Sequence, residues 1–386
     1  MVAMKNYRLQ TCIRFTVVAI LCMCFSTNSL GDGFYIDNGK LFDADGCEFV
    51  IRGVNHPHTW YPDQVSSIDD IANLGANTVR VVLGSGHQWA ANSVADVASV
   101  IQRCKANQLI CMLEVHDTTG WGDDPNAGTL FQAVDYWISI APALMGQEEY
   151  VLLNIGNEPV GNSLAGLWKP ETICAINRLR NAGFTHTLVV DAPNWGQDWS
   201  QTMRLNAASV LAADPMANTL FSVHMYGSYG SPASISGYLS YYVNNQIPII
   251  IGEFGHTHTS GNVDEDFIMQ YAQANGIGFL GWSWSGNGAP VQNLDMCLNF
   301  DPNQLTVWGQ RIFNGANGIN STSQLACVFD DFLVGDCNGD GAVNLLDVQP
   351  FVALISDGGF LAEADINMDG VVNLLDAEPF VALLSQ

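Results

Sequence analysis

Eight short runs of β-branched and other apolar residues recur about every 30 residues along most of the chain. The runs are Val50–Asn55, Thr78–Leu83, Ile110–His116, Tyr150–Gly156, Thr187–Asp191, Leu220–Tyr226, Ile247–Gly252 and Ile277–Trp282. A run that is apolar on both faces indicates a buried strand, and helical patterns between such runs indicate parallel strands. Eight strand–helix units in about 270 residues predict an α/β fold, a closed (β/α)8 TIM barrel.

The segments outside these runs carry helix and turn signals. Val94–Asn107 and Pro170–Ala182 place apolar residues at helical spacing. Ahead of the first run, Phe34–Phe49 contains Asn38-Gly39 and Asp45-Gly46, which favour tight hairpin turns. We therefore expect this segment to cover the floor of the barrel.

Most of the runs end in polar or aromatic residues. In a barrel of this type the carboxyl ends of the strands form the face that carries the chemistry. Buried polar groups cost stability unless they have partners, so side chains in this pattern are poorly explained as core. They predict a single site that contains Arg80, His116, Asn157, Glu158, His224, Tyr226, Glu253 and Trp282.

Two of these residues are glutamates: Glu158 ends the fourth predicted strand and Glu253 ends the seventh. Hydrolysis of a glycosidic bond needs one carboxyl group to protonate the leaving oxygen and another to attack. A close pair supplies both, because one ionised carboxylate keeps its neighbour protonated. A lone glutamate at a strand end is usually solvated or salt-bridged, but Asn-Glu-Pro together with Gly-Glu-Phe favours a catalytic pair.

The neighbouring side chains suit this chemistry. Arg80 is expected to hold Glu253 ionised through a charge-assisted hydrogen bond, and Tyr226 to donate a second one. Asn157 is expected to hydrogen-bond the 2-hydroxyl of the sugar, a contact that strengthens in the transition state.

Other side chains are candidates for binding sugar. His116 and His224 offer donors to hydroxyl groups, and Trp282 offers a flat face for a pyranose ring. Trp89 and Trp195 fit either sugar-stacking subsites or ordinary packing, and the sequence leaves both interpretations open.

These motifs resemble glycoside hydrolase family 5 of clan A, especially its bacterial endo-β-1,4-mannanase subfamily, from about residue 33 to residue 319. The matching stretches include LEVHDTTG (113–120), NIGNEP (154–159), HMYGSYG (224–230), IGEFGHTH (251–258) and LGWSWSGNG (280–288). The resemblance implies a retaining enzyme without a catalytic cofactor, with Glu158 as acid/base and Glu253 as nucleophile. It also implies that the other six residues of the predicted site bind substrate.

The choice of mannan as substrate rests on the resemblance alone, because no spacing in the sequence distinguishes mannose from its C2 epimer glucose. A β-1,4-endoglucanase of the same family is the alternative. A non-catalytic polysaccharide-binding protein is a more remote one, since it predicts the loss of a glutamate and both are present.

The last part of the chain is acidic and repetitive. Residues 330–386 hold eleven acidic residues and no Lys or Arg, and Asp336–Ile355 matches Asp365–Leu384 at an offset of 29 residues. Each repeat places hard oxygen ligands at the spacing of a calcium loop, with a glycine for the sharp turn. The predicted ligands are Asp336, Asn338, Asp340, the Ala342 carbonyl and Asp347, and Asp365, Asn367, Asp369, the Val371 carbonyl and Asp376.

Aspartate at position 12 of both loops resembles dockerin type I modules, which are small, all-α and calcium-dependent. The resemblance implies a cohesin as partner, usually bound through small polar residues at loop positions 10 and 11. This chain has Leu345-Leu346 and Leu374-Leu375 there. The leucines are therefore expected either to pack internally or to anchor the enzyme to another cell-surface component.

The N-terminus predicts export. Basic residues precede an apolar run, Phe15–Phe25, and small polar residues follow it, as in a signal peptide of residues 1–31. The run is too short to span a bilayer, so no transmembrane segment is expected in the mature chain. A net charge of -25 argues against nucleic acid or an anionic membrane as partner. The predicted order is signal peptide 1–31, catalytic barrel 32–319, linker 320–333 and calcium module 334–386, in a secreted protein.

Seven of the ten cysteines lie beyond the predicted signal peptide, and their spacing resembles no zinc site. An odd number leaves at least one unpaired. A disulfide between Cys327 and Cys337 is one pairing that the sequence leaves open.

Overall fold

The computed structural model describes residues 33–259, 261–329, 333–359, 361–367 and 371–385; the predicted signal peptide and Asp369 lie outside these ranges. Eight parallel strands close into a barrel in chain order, and we label them β1 to β8. They are β1 Arg52–His56, β2 Thr78–Leu83, β3 Ile110–Val115, β4 Val151–Asn154, β5 Leu188–Asp191, β6 Thr219–Met225, β7 Ile249–Phe254 and β8 Gly278–Gly281. The predicted TIM barrel is confirmed.

The strand boundaries differ from the prediction by a few residues. The seventh run was predicted as Ile247–Gly252, but β7 continues to Phe254, which pairs with Met225 of β6. Glu253 is therefore the penultimate residue of this strand, near the end where it was predicted. Pairing with the neighbouring strand decides where a strand ends, and apolar patterning alone does not report that pairing.

Helices surround the barrel. The predicted helices of residues 94–107 and 170–182 are observed with slightly different ends. Among the described residues, no helix is both long and apolar enough to cross a membrane. The α-helices are Ser67–Asn73, Val94–Ala106, Leu130–Ser139, Ala141–Leu144, Trp168–Asn181, Thr202–Leu211, Pro232–Asn244, Glu265–Asn275, Val307–Asn314, Ile319–Thr322, Val348–Asp357 and Ala377–Leu383.

The barrel floor is closed by the hairpin that the sequence predicts. Tyr35–Asp37 pairs with Lys40–Phe42 across Asn38-Gly39, and both turn residues have the positive φ of a tight hairpin turn. Phe34, Leu41 and Phe49 from this region join a core cluster with the inward-facing residues at the start of the strands. The floor is thus apolar, and polar side chains concentrate at the opposite face.

Residues 320–329, predicted as linker, lie against the barrel. Arg52 Nε donates to Thr322 Oγ1 at 3.1 Å, and Asn77 Nδ2 donates to the carbonyl of Gln324 at 2.8 Å. Cys47 of the floor segment forms a disulfide with Cys327. The suggested Cys327–Cys337 pairing is therefore wrong, and Cys337 is a free buried thiol.

The C-terminal module has a small core of its own. Phe351 and Phe380, equivalent residues of the two repeats, stack with ring centroids 4.2 Å apart. The leucine pairs do not join this core: Leu345, Leu346, Leu374 and Leu375 are 80%, 68%, 77% and 69% exposed. The expectation that they pack internally is wrong, because the helices turn only one apolar face towards each other and the leucines lie outside it.

Candidate active site

Arg80 is the centre of the polar face. It projects from β2 into the barrel, and its side chain is fully buried. Three carboxylates, those of Glu114, Asp191 and Glu253, raise its pKa, although burial alone would lower it. Its nitrogens donate to Asn55 Oδ1 (2.7 Å), Asn154 Oδ1 (2.9 Å), Asn157 Oδ1 (2.8 Å), Asp191 Oδ2 (3.2 Å) and Glu253 Oε1 (2.9 Å).

Both oxygens of Glu253 are held. Arg80 Nη1 binds Oε1, and the Tyr226 hydroxyl donates to Oε2 at 2.9 Å. Burial raises the pKa of this carboxyl group, while the positive charges of His224 and Arg80 act to lower it. The two predicted donors thus lie where an ionised carboxylate needs them.

His224 links the two glutamates. Its Nδ1 lies 2.8 Å from Glu158 Oε1 and 3.5 Å from Glu253 Oε2, and its Nε2 lies 3.2 Å from Asp191 Oδ2. Burial alone would lower the pKa of His224, but the charges of Glu253 and Asp191 outweigh it and raise the pKa to about 10. Carboxylates thus lie near both ring nitrogens and favour the protonated, cationic imidazole.

Glu158 follows β4 in an unusual backbone conformation. Its φ is +40°, which costs free energy for any residue except glycine and often marks a functional position. Two hydrogen bonds fix this turn: the Glu158 N–H donates to Asp191 Oδ2 at 3.2 Å, and the Glu158 carbonyl accepts from Gly120 at 3.0 Å. The turn directs the carboxyl group towards the cleft, and the residue keeps 8% exposure.

The two glutamates meet across the barrel mouth although 95 residues separate them in the chain. One carboxylate oxygen of each, together with a ring nitrogen of His224, lie within 4.8 Å of one another. The closed barrel therefore brings the two carboxyl groups together at one end.

Asn157 is oriented by its neighbours. Its Oδ1 accepts from Arg80, and its Nδ2 donates to Thr119 Oγ1 at 2.9 Å. An amide nitrogen has two hydrogens, so one donor is left for a ligand. The predicted bond to a sugar hydroxyl stays a prediction.

Aromatic rings line the half of the rim formed by β8, β1, β2 and β3. His116 stacks on Trp282 at 5.6 Å, and its Nδ1 lies 2.8 Å from Glu114 Oε1. Trp60 and Trp89 contact each other and His116 with centroids 5.0–5.3 Å apart. The charges of Glu114 and Glu253 raise the pKa of His116 against the effect of burial.

The other half of the rim encloses a cavity of about 380 Å³ next to Glu158. The Trp195 indole lies against Gly120 and donates to Asp123 Oδ2 at 3.0 Å. Trp199 is 60% exposed, and His258 stacks on Tyr226 at 4.4 Å. Trp195 thus borders the cavity beside Glu158, and its stacking on sugar stays a prediction.

Sequence reasoning missed the carboxylates and amides that support the pair. Asp191, Asn154, Asn55 and Glu114 are fully or almost fully buried among the predicted residues. His224 and Arg80 hold the pKa of Asp191 at about 2 despite its burial. Asp191 is the last residue of the fifth apolar run. A polar residue at the end of a run is the signal that points to Glu158, so the same criterion, applied to every run, also selects Asp191.

The pH profile should report the environment of Glu253. Since burial raises its pKa, its carboxylate is lost as the pH falls through a value above the ordinary glutamate pKa of about 4.3. If Glu253 must be ionised to act, kcat/KM should fall on the acid side above that pH. His224→Gln removes a cation that opposes the rise, so its acid limb should lie at still higher pH.

The measurement is kcat/KM against pH for both proteins, since this ratio reports the free enzyme. His87→Gln serves as the control, because the exposed His87 ring contacts Gln132, away from the glutamates. An acid limb that moves down in His224→Gln would contradict the assignment of the imidazole as a cation.

A closed barrel with two glutamates this close at the carboxyl ends of β4 and β7 defines a glycoside hydrolase. Residues 42–288 match the family described as Cellulase (glycosyl hydrolase family 5), and the chain belongs to that family. Residues 334–379 match the dockerin type I domain.

The barrel is similar to several characterised proteins. A mannan endo-1,4-beta-mannosidase of Streptomyces lividans is 56% identical over 298 residues, 77% of this chain and 78% of that one. A second, from Cellvibrio japonicus, is 50% identical and covers 78% of this chain and 70% of its own. The solved β-mannanase of Thermomonospora fusca superposes with a TM-score of 0.76 at 57% identity, over 77% of this chain and 99% of that one.

Proposed function

We propose that this protein is a secreted, retaining endo-β-1,4-mannanase that cleaves internal bonds of mannan, galactomannan or glucomannan. The observation that carries the retaining mechanism is the carboxylate separation, within 4.8 Å between oxygens of Glu158 and Glu253. Retaining glycosidases place the two groups about 5–5.5 Å apart, whereas inverting enzymes need about 6.5–9.5 Å to admit water.

In the first step, Glu253 attacks the anomeric carbon while Glu158 gives its proton to the leaving glycosidic oxygen. The carbon–oxygen bond to the leaving sugar breaks, and an ester to Glu253 forms. In the second step Glu158 takes a proton from water, which attacks the anomeric carbon and releases Glu253. Two inversions give net retention of the β configuration.

The contacts of the two carboxyl groups support this division of roles. Both oxygens of Glu253 accept hydrogen bonds, from Arg80 Nη1 at 2.9 Å and from the Tyr226 hydroxyl at 2.9 Å, and such donors stabilise the ionised form that a nucleophile needs. Glu158 has neither of these donors, and its Oε1 lies 2.8 Å from His224 Nδ1 at the edge of the cleft.

The preference for mannan is inferred from the named relatives, which share at least half of their aligned residues with the barrel. Release of reducing ends from galactomannan should exceed release from carboxymethylcellulose by at least about 100-fold. Comparable rates on the two polymers, or faster cleavage of the glucan, would replace mannanase with endoglucanase. The configuration of the first product, read by NMR, tests the mechanism separately.

The C-terminal loops fit calcium. Asp336, Asp347, Asp365 and Asp376 are at most 3% exposed, in a segment without Lys or Arg. Buried carboxylates need a compensating positive charge, and the predicted ligands supply the oxygen set that calcium prefers. In the first loop, backbone N–H groups of Gly339 and Gly341 donate to Asp336 at 2.8 and 2.7 Å, which orders the loop around its carboxylate. Bound calcium would supply charge compensation and a folding contribution, and no catalytic step.

Calcium removal should therefore unfold the module and spare the barrel. With EDTA, we expect protease cleavage beyond residue 330 and less than about a two-fold change in activity on soluble galactomannan. Asp347→Ala should lower calcium affinity in titration calorimetry, whereas Glu363→Gln, an acid of the same module outside the loops, should not. Loss of activity in step with module unfolding would contradict the independence of the two parts.

We propose that the module attaches the enzyme to a cohesin or another extracellular surface component. The dockerin match supports this role, and the exposed leucine pairs at loop positions 10 and 11 favour an apolar contact over the small polar contact of a conventional cohesin. The predicted signal peptide supports export, as attachment outside the cell requires.

A further inference from the structure

A buried carboxylate outside the glutamate pair organises one loop of the cleft rim. Asp117 follows His116 after β3 and is 1% exposed. Three successive backbone N–H groups, those of residues 87, 88 and 89, donate to its Oδ1 at 2.9, 2.6 and 3.2 Å. The N–H of Ser85 donates to Oδ2 at 2.8 Å. Four donors thus converge on one side chain from a neighbouring loop.

A turn at Gly86 brings the four N–H groups together. Gly86 has a φ of +90° and lies between Ser85 and residues 87–89, so the N–H groups on both sides of it face the Asp117 carboxylate. Gly84 and Asn92 close the base of the loop: Gly84 N–H donates to Asn92 Oδ1 at 2.8 Å, and Asn92 N–H to the Gly84 carbonyl at 3.1 Å. The Asp117 carboxylate is thus the acceptor that these loop N–H groups share.

The loop that Asp117 holds carries Trp89. The Trp89 ring meets His116 at 5.3 Å and Trp60 at 5.3 Å, and His116 stacks on Trp282. These rings form a continuous aromatic surface on one half of the rim. Asp117 follows His116 in the same turn, His116–Thr118. This turn therefore positions the His116 ring directly and the Trp89 ring through the loop that Asp117 holds.

We infer that Asp117 is a positioning residue that sets the substrate-length preference of the enzyme by holding Trp89 against a sugar unit distant from the cleaved bond. This inference rests on the proposed function. Asp117 acts through the four N–H bonds to residues 85–89 and contacts no substrate itself. Asp117→Asn removes the negative charge that three N–H groups share at Oδ1 and replaces Oδ2 with an NH2 group that faces the Ser85 N–H. The loop can then move, which removes the stacking face.

The test compares a long substrate with a short one. Mannohexaose spans several sugar positions, while 2,4-dinitrophenyl β-mannoside reaches only the glutamate pair. Asp117→Asn should lower kcat/KM for mannohexaose about 10-fold, the scale of one lost aromatic contact. The same variant should change kcat/KM for the dinitrophenyl mannoside less than about two-fold. Trp89→Ala should reproduce this split.

A double-mutant cycle ties the two residues together. If Asp117 acts through Trp89, Asp117→Asn combined with Trp89→Ala should be no worse on mannohexaose than Trp89→Ala alone. Asp135→Asn, at a surface ion pair with Arg178, is the control for loss of a carboxylate. Thermal unfolding of each variant confirms that the compared proteins are folded.

Two results would overturn the inference. One is an equal loss on both substrates by folded Asp117→Asn, which would assign Asp117 to general support of the site. The other is additive losses in the double variant, which would separate Asp117 from Trp89. Failure of the unmodified enzyme to cleave either mannoside would instead refute the proposed function, so the two failures are distinguishable.

Discussion

Glu253→Ala should lower kcat on mannan by about 10⁴-fold or more, because the proposed first step then has no nucleophile. The remaining cleft still binds substrate, and Glu158 can still protonate the leaving oxygen. Sodium azide should restore turnover by entering the space that the Glu253 side chain leaves. Azide then forms the bond to the anomeric carbon from that face, and the product is a glycosyl azide of inverted configuration.

Glu158→Ala is the matched variant. It keeps Glu253, so the glycosyl-enzyme still forms from an activated aryl mannoside, whose leaving group needs no protonation. Azide then displaces Glu253 from the anomeric carbon, which gives a glycosyl azide of retained configuration. The two azides are distinguished by NMR. A folded Glu253→Ala protein that azide does not rescue, or that yields the retained azide, would transfer the nucleophile role to another residue.

Arg80→Lys should produce the second large effect. The guanidinium contacts five side chains at once in its buried site, whereas one ammonium group cannot reach Glu253, Asn157 and Asp191 together. We expect unfolding free energy to fall by about 3 kcal/mol, since carboxylates stay buried with fewer donors. We expect kcat to fall about 10²–10³-fold, because Glu253 loses a hydrogen bond to its ionised form.

Denaturant unfolding and steady-state kinetics measure the two effects. Arg178→Lys is the control, because Arg178 pairs with Asp135 and covers Phe131 at the surface. Arg178→Lys should change the unfolding free energy by no more than about 0.5 kcal/mol and kcat by no more than about two-fold. A near-normal kcat in Arg80→Lys would contradict this expectation. It would show that a positive charge near Glu253 is sufficient without the multiple hydrogen bonds of the guanidinium group.

Much of the barrel follows from the sequence because its strands are buried on both faces. Such strands read as continuous apolar runs, and a polar residue at their ends stands out. Glu158, His224 and Tyr226 were identified in this way, and the structure brings them together with Glu253 and Arg80. Pairing between strands sets the exact bounds, which is why Glu253 lies inside β7.

The supporting residues were harder to predict, because their roles depend on partners distant in the chain. Asp191 ends an apolar run, but only the fold shows that it lies beside both His224 and Arg80. Asp117 carries no pattern of its own, since its four donors are backbone groups about 30 residues earlier. Sequence patterns report side-chain types, and backbone N–H groups are present at almost every position.

The sequence by itself determined the eightfold strand–helix alternation, the glutamate pair and the two acidic loops, because each is a local pattern of residue type and spacing. Tertiary structure alone decided the Cys47–Cys327 disulfide, which joins residues 280 positions apart. It also decided the exposure of the four leucines and the separation of the Glu158 and Glu253 carboxylates. Those properties are distances, and chain folding, not local spacing, brings the atoms concerned together.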